Sequence, residues 1–433
     1  MLPALILLAA AHGSLHFIDD DYPKALATAR AQHKPLFVDF WATWCHSCLS
    51  MQRFVLSDAG MKPVADEVVW ASIETETEKN KPAVEQYPLD NWPTFLLIDP
   101  DGEKVLGRYS GSGSVQELRA FVQEGLRAYR ASGKKLDPPA AAQRAGDEAR
   151  MRGDFKATAE AYAKAVALSR PDDPARPERL TLEVQALLKM KTPEASRACV
   201  KLGFAEARNT GDSAVAADFA SYVDECAARL PKDDAEAARL HALAIERLRE
   251  IIGKKDAPLA VDDRSDAMAN LVEMLDNAGQ HDEAQKTMQE RAQLLETAAA
   301  AAPDATMAST FDPHRTDTYL YLKQPQKAEQ LLVRREKEMP SDYNPPARLA
   351  RVLLEERKLP EAEVAVDRAL SMMPRSQRRL GVLGLKAKIL TAESKPVDAV
   401  VREQLDVLRT LPAPQRNPEQ EARLEEQLKT AAK

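Results

Sequence analysis

The sequence predicts two domains, an α/β domain at the N-terminal end followed by an all-α solenoid of paired helices. Three observations carry this expectation. All four tryptophans (Trp41, Trp44, Trp70, Trp92) lie in the first 92 of 433 residues, and beyond Lys134 the chain turns rich in Ala, Leu, Glu and Arg. Short apolar and β-branched runs alternate with helical patterns as far as Tyr129. From Gly153 onward, helix-turn-helix spacing recurs to the end. A chain of this length is also too long for one ordinary core. The expected boundaries are an export signal over 1–15, the α/β domain over 16–130, a linker over 131–140 and the helical domain over 141–433.

Apolar residues make up 44% and charged residues 29%, the balance of a globular protein. A net charge of −7 without a basic stripe argues against nucleic-acid binding. Leu2 to Ala11 is an apolar run ending in small residues, of signal-peptide core length and too short to span a bilayer. It lacks a preceding Lys or Arg, and no Cys follows it as a lipid anchor would need. Ser132 to Pro139 reads as the linker, since the two adjacent prolines donate no backbone hydrogen bond.

Within the first domain, Leu36-Phe37-Val38-Asp39-Phe40-Trp41 reads as a buried strand that carries one unexplained carboxylate, Asp39. Ala42-Thr43-Trp44-Cys45-His46-Ser47-Cys48 follows and opens a helix. Phe95 to Ile98 is a second strand, turned at Asp99-Pro100-Asp101-Gly102 into a hairpin partner over Glu103 to Tyr109. Ser114 caps the last helix, with Glu117 at capping-box spacing.

Cys45 and Cys48 stand at i, i+3 at a helix start, which puts both sulfurs on one face. Disulfide exchange needs a thiolate that attacks and a second thiol close enough to resolve the mixed disulfide. Unpaired N–H groups at a helix N-terminus favour the thiolate and bring a thiol pKa from about 8.5 to roughly 3.5–7.5. Cys45 is therefore the expected nucleophile and Cys48 the resolving thiol. His46, when protonated, would favour the Cys45 thiolate further and make the disulfide more oxidising. Asp39, six residues before Cys45 on an apolar strand, has the raised pKa of a base that works near neutrality.

Val38 to Cys45, together with Trp92-Pro93-Thr94, resembles the two signature segments of the thioredoxin family. Phe54 to Asp58 and the acidic Glu74-Thr75-Glu76 are similar to the subgroup containing the C-terminal domain of DsbD. The resemblance covers about 115 residues and implies a thioredoxin fold. It further implies that Asp39 accepts the proton of Cys48 and that the Trp92–Pro93 bond is cis. The loop of Trp92, Pro93 and Thr94 would lie against Cys45 and pair with an extended substrate peptide. Trp44 would form a platform beside the active-site loop. Trp92 is bulkier than is usual there, and no lysine falls in Val69 to Glu74 where thioredoxins proper have one.

The helical domain carries turns at Gly153-Asp154, Gly279 to Ala284, Lys323 to Ala328, Lys358 to Ala362 and Lys395 to Ala399. The spacing is 34 residues from Ala328 to Ala362 and 37 from Ala362 to Ala399. This pattern resembles tetratricopeptide repeats, most clearly over Asn344 to Met373, and implies a TPR-like solenoid with a concave face that binds a peptide or protein. Cys199 and Cys226 flank the turn at Gly211, so antiparallel helices can bring them together, although two separate buried thiols are the stronger expectation.

The functional expectation is an exported, periplasmic thiol–disulfide oxidoreductase, reductase or isomerase rather than oxidase, whose only redox group is the Cys45–Cys48 pair. Its partners would be protein clients with disulfides or thiols and a thiol protein that donates or accepts electrons. The alternatives are a non-catalytic interaction scaffold and a cytoplasmic location. No metal site is expected, because zinc on Cys45, Cys48 and His46 would lack a second CxxC to complete four ligands.

Overall fold

The computed structural model describes residues 15–89, 91–131, 137–411 and 415–431. The expected signal segment therefore lies almost wholly outside the described residues. Leu15 is the exception, and it is buried in the core of the first domain. Half of the expected linker over 131–140, namely 132–136, also lies outside. Pro138 and Pro139 do not belong to a linker: they open a helix, where the missing N–H costs nothing and the fixed φ suits the first turn.

The first domain runs β1 (Phe17–Asp19), α1 (Tyr22–Gln32), β2 (Leu36–Trp41), α2 (His46–Ser50), β3 (Val69–Glu74), α3 (Lys81–Gln86), β4 (Thr94–Asp99), β5 (Lys104–Ser110) and α4 (Val115–Arg130). The sheet order is β1-β3-β2-β4-β5. β1, β3 and β2 are parallel, and β4 and β5 are antiparallel to their neighbours. The three-residue β1 was not anticipated, being too short to show a period.

Strand alternation divides the core into two layers. Leu36, Val38 and Phe40 of β2 face one side with α1 and α3, whereas Phe37 faces the other with Phe95, Leu97, Phe121 and Val122. Asp39 shares the parity of Phe37 and so points under α2 and α4. The expected capping box of Ser114 and Glu117 closes the start of α4. Gly125 lets α4 sit on the sheet, since a Cβ there would lie 2.1 Å from Leu97 Cδ2.

The helical repeat solenoid begins with α5 (Pro138–Met151), α6 (Phe155–Leu168), α7 (Arg176–Met190), α8 (Pro193–Glu206), α9 (Ala214–Ala228) and α10 (Ala235–Gly253). It continues with α11 (Val261–Asn277), α12 (His281–Ala301), the short α13 (Ala305–Ser309), α14 (Asp312–Tyr321) and α15 (Pro325–Glu338). α16 (Asn344–Glu355), α17 (Leu359–Met372), α18 (Gln377–Ala392), α19 (Asp398–Thr410) and α20 (Pro418–Ala431) complete it. Left-handed residues turn one helix of a pair into the next: Gly153, Lys191, Gly279, Lys323, Arg357 and Ser394. Ala284, Ala328 and Ala362, each at the fourth position of its helix, are fully buried and let the pair close. The last repeat corrects the expected register. α19 starts at Asp398, so Val401 takes that buried position and Ala399 is exposed.

Cys199 on α8 and Cys226 on α9 are joined in a disulfide with Cα atoms 6.1 Å apart, correcting the expectation of two separate thiols. Both face the same seam between antiparallel helices and are fully buried. No helix among the described residues is long and apolar enough to cross a membrane.

Candidate active site

Cys45 caps the N-terminus of α2 in an extended conformation, and its Sγ accepts the amide of Cys48 at 3.1 Å. The two are joined in a disulfide with Cα atoms 5.2 Å apart. Cys48 lies one turn inside at 1% exposure and Cys45 at 4%. The helix then widens into a π turn over Met51–Val55, closed by Leu56 N donating to Met51 O at 2.8 Å. Ala42, Trp41, Trp44 and Trp92 pack around the sulfurs.

Asp39 is fully buried beneath this helix. Gln52, four residues beyond Cys48 and so near it on the helix surface, donates to Asp39 Oδ2 at 2.8 Å, while Oδ1 receives no hydrogen bond. Burial pushes the carboxyl up to about 7 against the Gln52 bond, with Asp19 adding to the rise. A buried acid with one free oxygen, poised near neutrality, can accept a proton.

The Trp92–Pro93 peptide is cis. The rings of Trp92 and Trp44 meet with centroids 5.7 Å apart. Trp92 Nε1 donates to Thr75 Oγ1 at 3.0 Å and Trp44 Nε1 to Glu76 Oε1 at 3.1 Å. Thr94 turns its hydroxyl to Asn91 O at 2.8 Å and starts β4. The acidic segment after β3 thus fastens both tryptophans of the site.

The solenoid does not stand apart from this site, as an open concave face would. α7, α9, α11, α14, α16 and α18 all reach the first domain. Glu178 of α7 accepts Ser110 N at 3.4 Å, and Val215 of α9 enters the core of the sheet. Phe311, at the N-cap of α14, stacks on Phe54 with centroids 6.1 Å apart. Tyr343 and Asn344, at the start of α16, grip the active-site loop. Thr43 Oγ1 donates to Tyr343 OH at 3.0 Å, Tyr343 OH donates to Glu76, and Asn344 Nδ2 donates to Thr43 O at 3.4 Å. Arg375, Ser376 and Gln377 face Trp44 and Trp92 across a cavity of about 160 Å³.

His46 is drawn to the solenoid as well. Its Nδ1 lies 3.1 Å from Asp262 Oδ2 on α11 and 3.0 Å from His314 Nε2 on α14. Burial works against its charge, but Asp266 and Asp262 outweigh that and hold the imidazole pKa up at about 9. These partners were invisible in the sequence, because they lie 216 and 268 residues away without any local motif.

The sheet order, the CxxC helix and the cis-proline loop define a thioredoxin-like domain, and residues 22–126 match the family model of that description. Over 90 residues the chain is 30% identical to the thiol:disulfide interchange protein DsbD of Pseudoalteromonas atlantica, covering 20% of this chain and 15% of that one. Over 121 residues it is 28% identical to protein disulfide-isomerase 1 of Dictyostelium discoideum, covering 28% and 32% respectively. A thioredoxin from Thermus thermophilus, solved in solution, is 29% identical over 28% of this chain and 94% of its own, with a TM-score of 0.26. The chain thus spans less than a third of the length of either enzyme relative.

Proposed function

We propose that the protein is a thiol–disulfide oxidoreductase that acts on protein disulfides through Cys45 and Cys48. The observation that carries this reading is the Cys45–Cys48 disulfide at the start of α2, above a buried Asp39 held near neutrality. In the reducing direction, the Cys45 thiolate attacks a client disulfide, forming a mixed disulfide and releasing one client thiolate. Asp39 takes the proton of Cys48, whose thiolate attacks Cys45 Sγ. The client leaves with its second sulfur reduced, and the Cys45–Cys48 disulfide returns. A dithiol partner protein then resets the pair.

Reduction or isomerisation fits better than oxidation. A His46 charge free to act on Cys45 would favour an oxidant, but that charge is committed to Asp262 and Asp266. The buried Cys199–Cys226 bond supports an oxidising, exported setting such as the periplasm, with the N-terminal segment as the signal. Because Cys45 is nearly inaccessible, the reading includes an opening step in which α11, α14 and α16 release the loop Thr43–His46. Clients would then meet the inner repeat face as well as the Trp92-Pro93-Thr94 loop.

The same burial favours a second reading, a non-catalytic scaffold in which the first domain is a docked module. Turnover of insulin disulfides in the presence of a dithiol separates the two. The oxidoreductase reading predicts turnover that Cys45→Ser abolishes; a scaffold shows the same background rate with either chain.

A further inference from the structure

Four side chains from three elements converge next to the disulfide: His46 of α2, Asp262 and Asp266 one turn apart on α11, and His314 of α14. One ligand atom of each lies within 4.8 Å of all the others. His46 Nδ1 is 3.1 Å from Asp262 Oδ2, 3.8 Å from Asp266 Oδ2 and 3.0 Å from His314 Nε2. His314 Nε2 is 2.6 Å from Asp262 Oδ1, and its Nδ1 is 3.5 Å from Asp266 Oδ1. A tetrahedral zinc ion with bonds of about 2.0–2.1 Å sets its ligand atoms about 3.4 Å apart, and the distances from His46 Nδ1 to Asp262 Oδ2, Asp266 Oδ2 and His314 Nε2, 3.1, 3.8 and 3.0 Å, straddle that edge.

Asp262 is fully buried, and its carboxylate faces both imidazoles, with Oδ2 3.1 Å from His46 Nδ1 and Oδ1 2.6 Å from His314 Nε2. A cation at this point would displace the ring protons that now face the carboxylate, so that two nitrogens 3.0 Å apart each present a lone pair to it. We propose that His46, Asp262, Asp266 and His314 bind a single divalent transition-metal cation of the zinc class. Two imidazoles with two carboxylates suit such an ion better than calcium or magnesium, which take all-oxygen shells.

The surroundings supply what such a site needs. A cavity of about 430 Å³, bordered by His46, Asp266, Glu273, Asp317 and Tyr321, leads in from solvent. Ser265 Oγ stands 3.2 Å from His314 Nδ1, ready to accept its proton once Nε2 is a ligand. Arg291 Nη2 now donates to that Nδ1 at 2.8 Å. Loading moves Nη2 aside while the guanidinium keeps Ser265 O and Thr318 Oγ1, at 2.9 and 2.8 Å. Since His46 sits between the two cysteines, the ion staples the redox loop to α11 and α14.

The test uses the full chain with both disulfides oxidised, so that no thiolate can bind metal, stripped with a chelator and titrated with Co²⁺ and then Zn²⁺. The expected result is one equivalent of Co²⁺ with the visible absorption of tetrahedral coordination, displaced by Zn²⁺. His46→Gln and Asp266→Asn, both at partly exposed positions and each removing a proposed ligand atom, are expected to weaken binding by more than the roughly 10- to 100-fold typical of losing an outer partner, while far-UV circular dichroism stays unchanged. Absence of saturable Co²⁺ binding by the parent chain would overturn the proposal. So would binding that both variants leave unchanged, since the ion would then sit elsewhere.

Discussion

Asp39 sets the energetics of the site. Its carboxyl has an ordinary pKa of 3.8 and is pushed up to about 7 by burial. Below the ordinary value both folded and unfolded chains hold the proton, and burial of the group is free of charge. As pH climbs toward 7 the unfolded chain ionises first, so stability is progressively lost, by up to about 4 kcal/mol. Asp39→Asn should therefore be more stable than the parent at pH 8.5 and no more stable at pH 3.5, as read by urea denaturation. The same variant should lose the rise in client-release rate that the parent shows as pH crosses about 7, because no base remains to deprotonate Cys48. Stopped-flow decay of a Cys45 mixed disulfide measures it. An unexplained carboxylate in an apolar strand marks Asp39 in the sequence; its bond to Gln52 carries no such mark, since only the folded helix places that side chain over β2.

The helices show which features a sequence can carry and which it cannot. Turns were legible because a helix pair needs a left-handed residue or a proline-opened helix at its end, and these mark the chain at Gly153, Gly279 and Pro325. At the α7–α8 turn the left-handed residue is a lysine with no mark of its own, although Pro193 opens α8 two residues on, and the spacing at Lys395 to Ala399 points two residues short of Val401, where the helix puts the buried position. The CxxC helix was legible from two cysteines and a strand, whereas β1 was too short. Close packing is the element-scale property most easily tested. Gly125→Ala would drive a methyl group into Leu97 and should cost about 1–3 kcal/mol in a denaturant melt. Cys199→Ala with Cys226→Ala removes the bond closing 27 residues between α8 and α9 and should cost about 2–4 kcal/mol, with no loss of insulin turnover.

At the scale of the whole molecule, the solenoid wraps the thioredoxin-like domain and closes over its disulfide. This arrangement was not legible, because Tyr343, Asp262 and His314 meet the loop Thr43–His46 only after the solenoid has curved. Tyr343 joins Thr43 and Glu76 in the closed form. Tyr343→Phe removes both bonds, about 1–2 kcal/mol in all, and should speed reduction of Cys45–Cys48 by a small thiol roughly 5- to 30-fold. An unchanged rate would mean that closure does not limit access. If Cys45 attacks and Cys48 resolves, a chain without the resolving thiol must retain its client on Cys45. A Cys48→Ala chain, mixed with oxidised client protein and analysed by mass spectrometry, should accumulate a mixed disulfide on Cys45. A folded Cys48→Ala chain that alkylating reagents label at Cys45, yet which forms no such adduct, would contradict it.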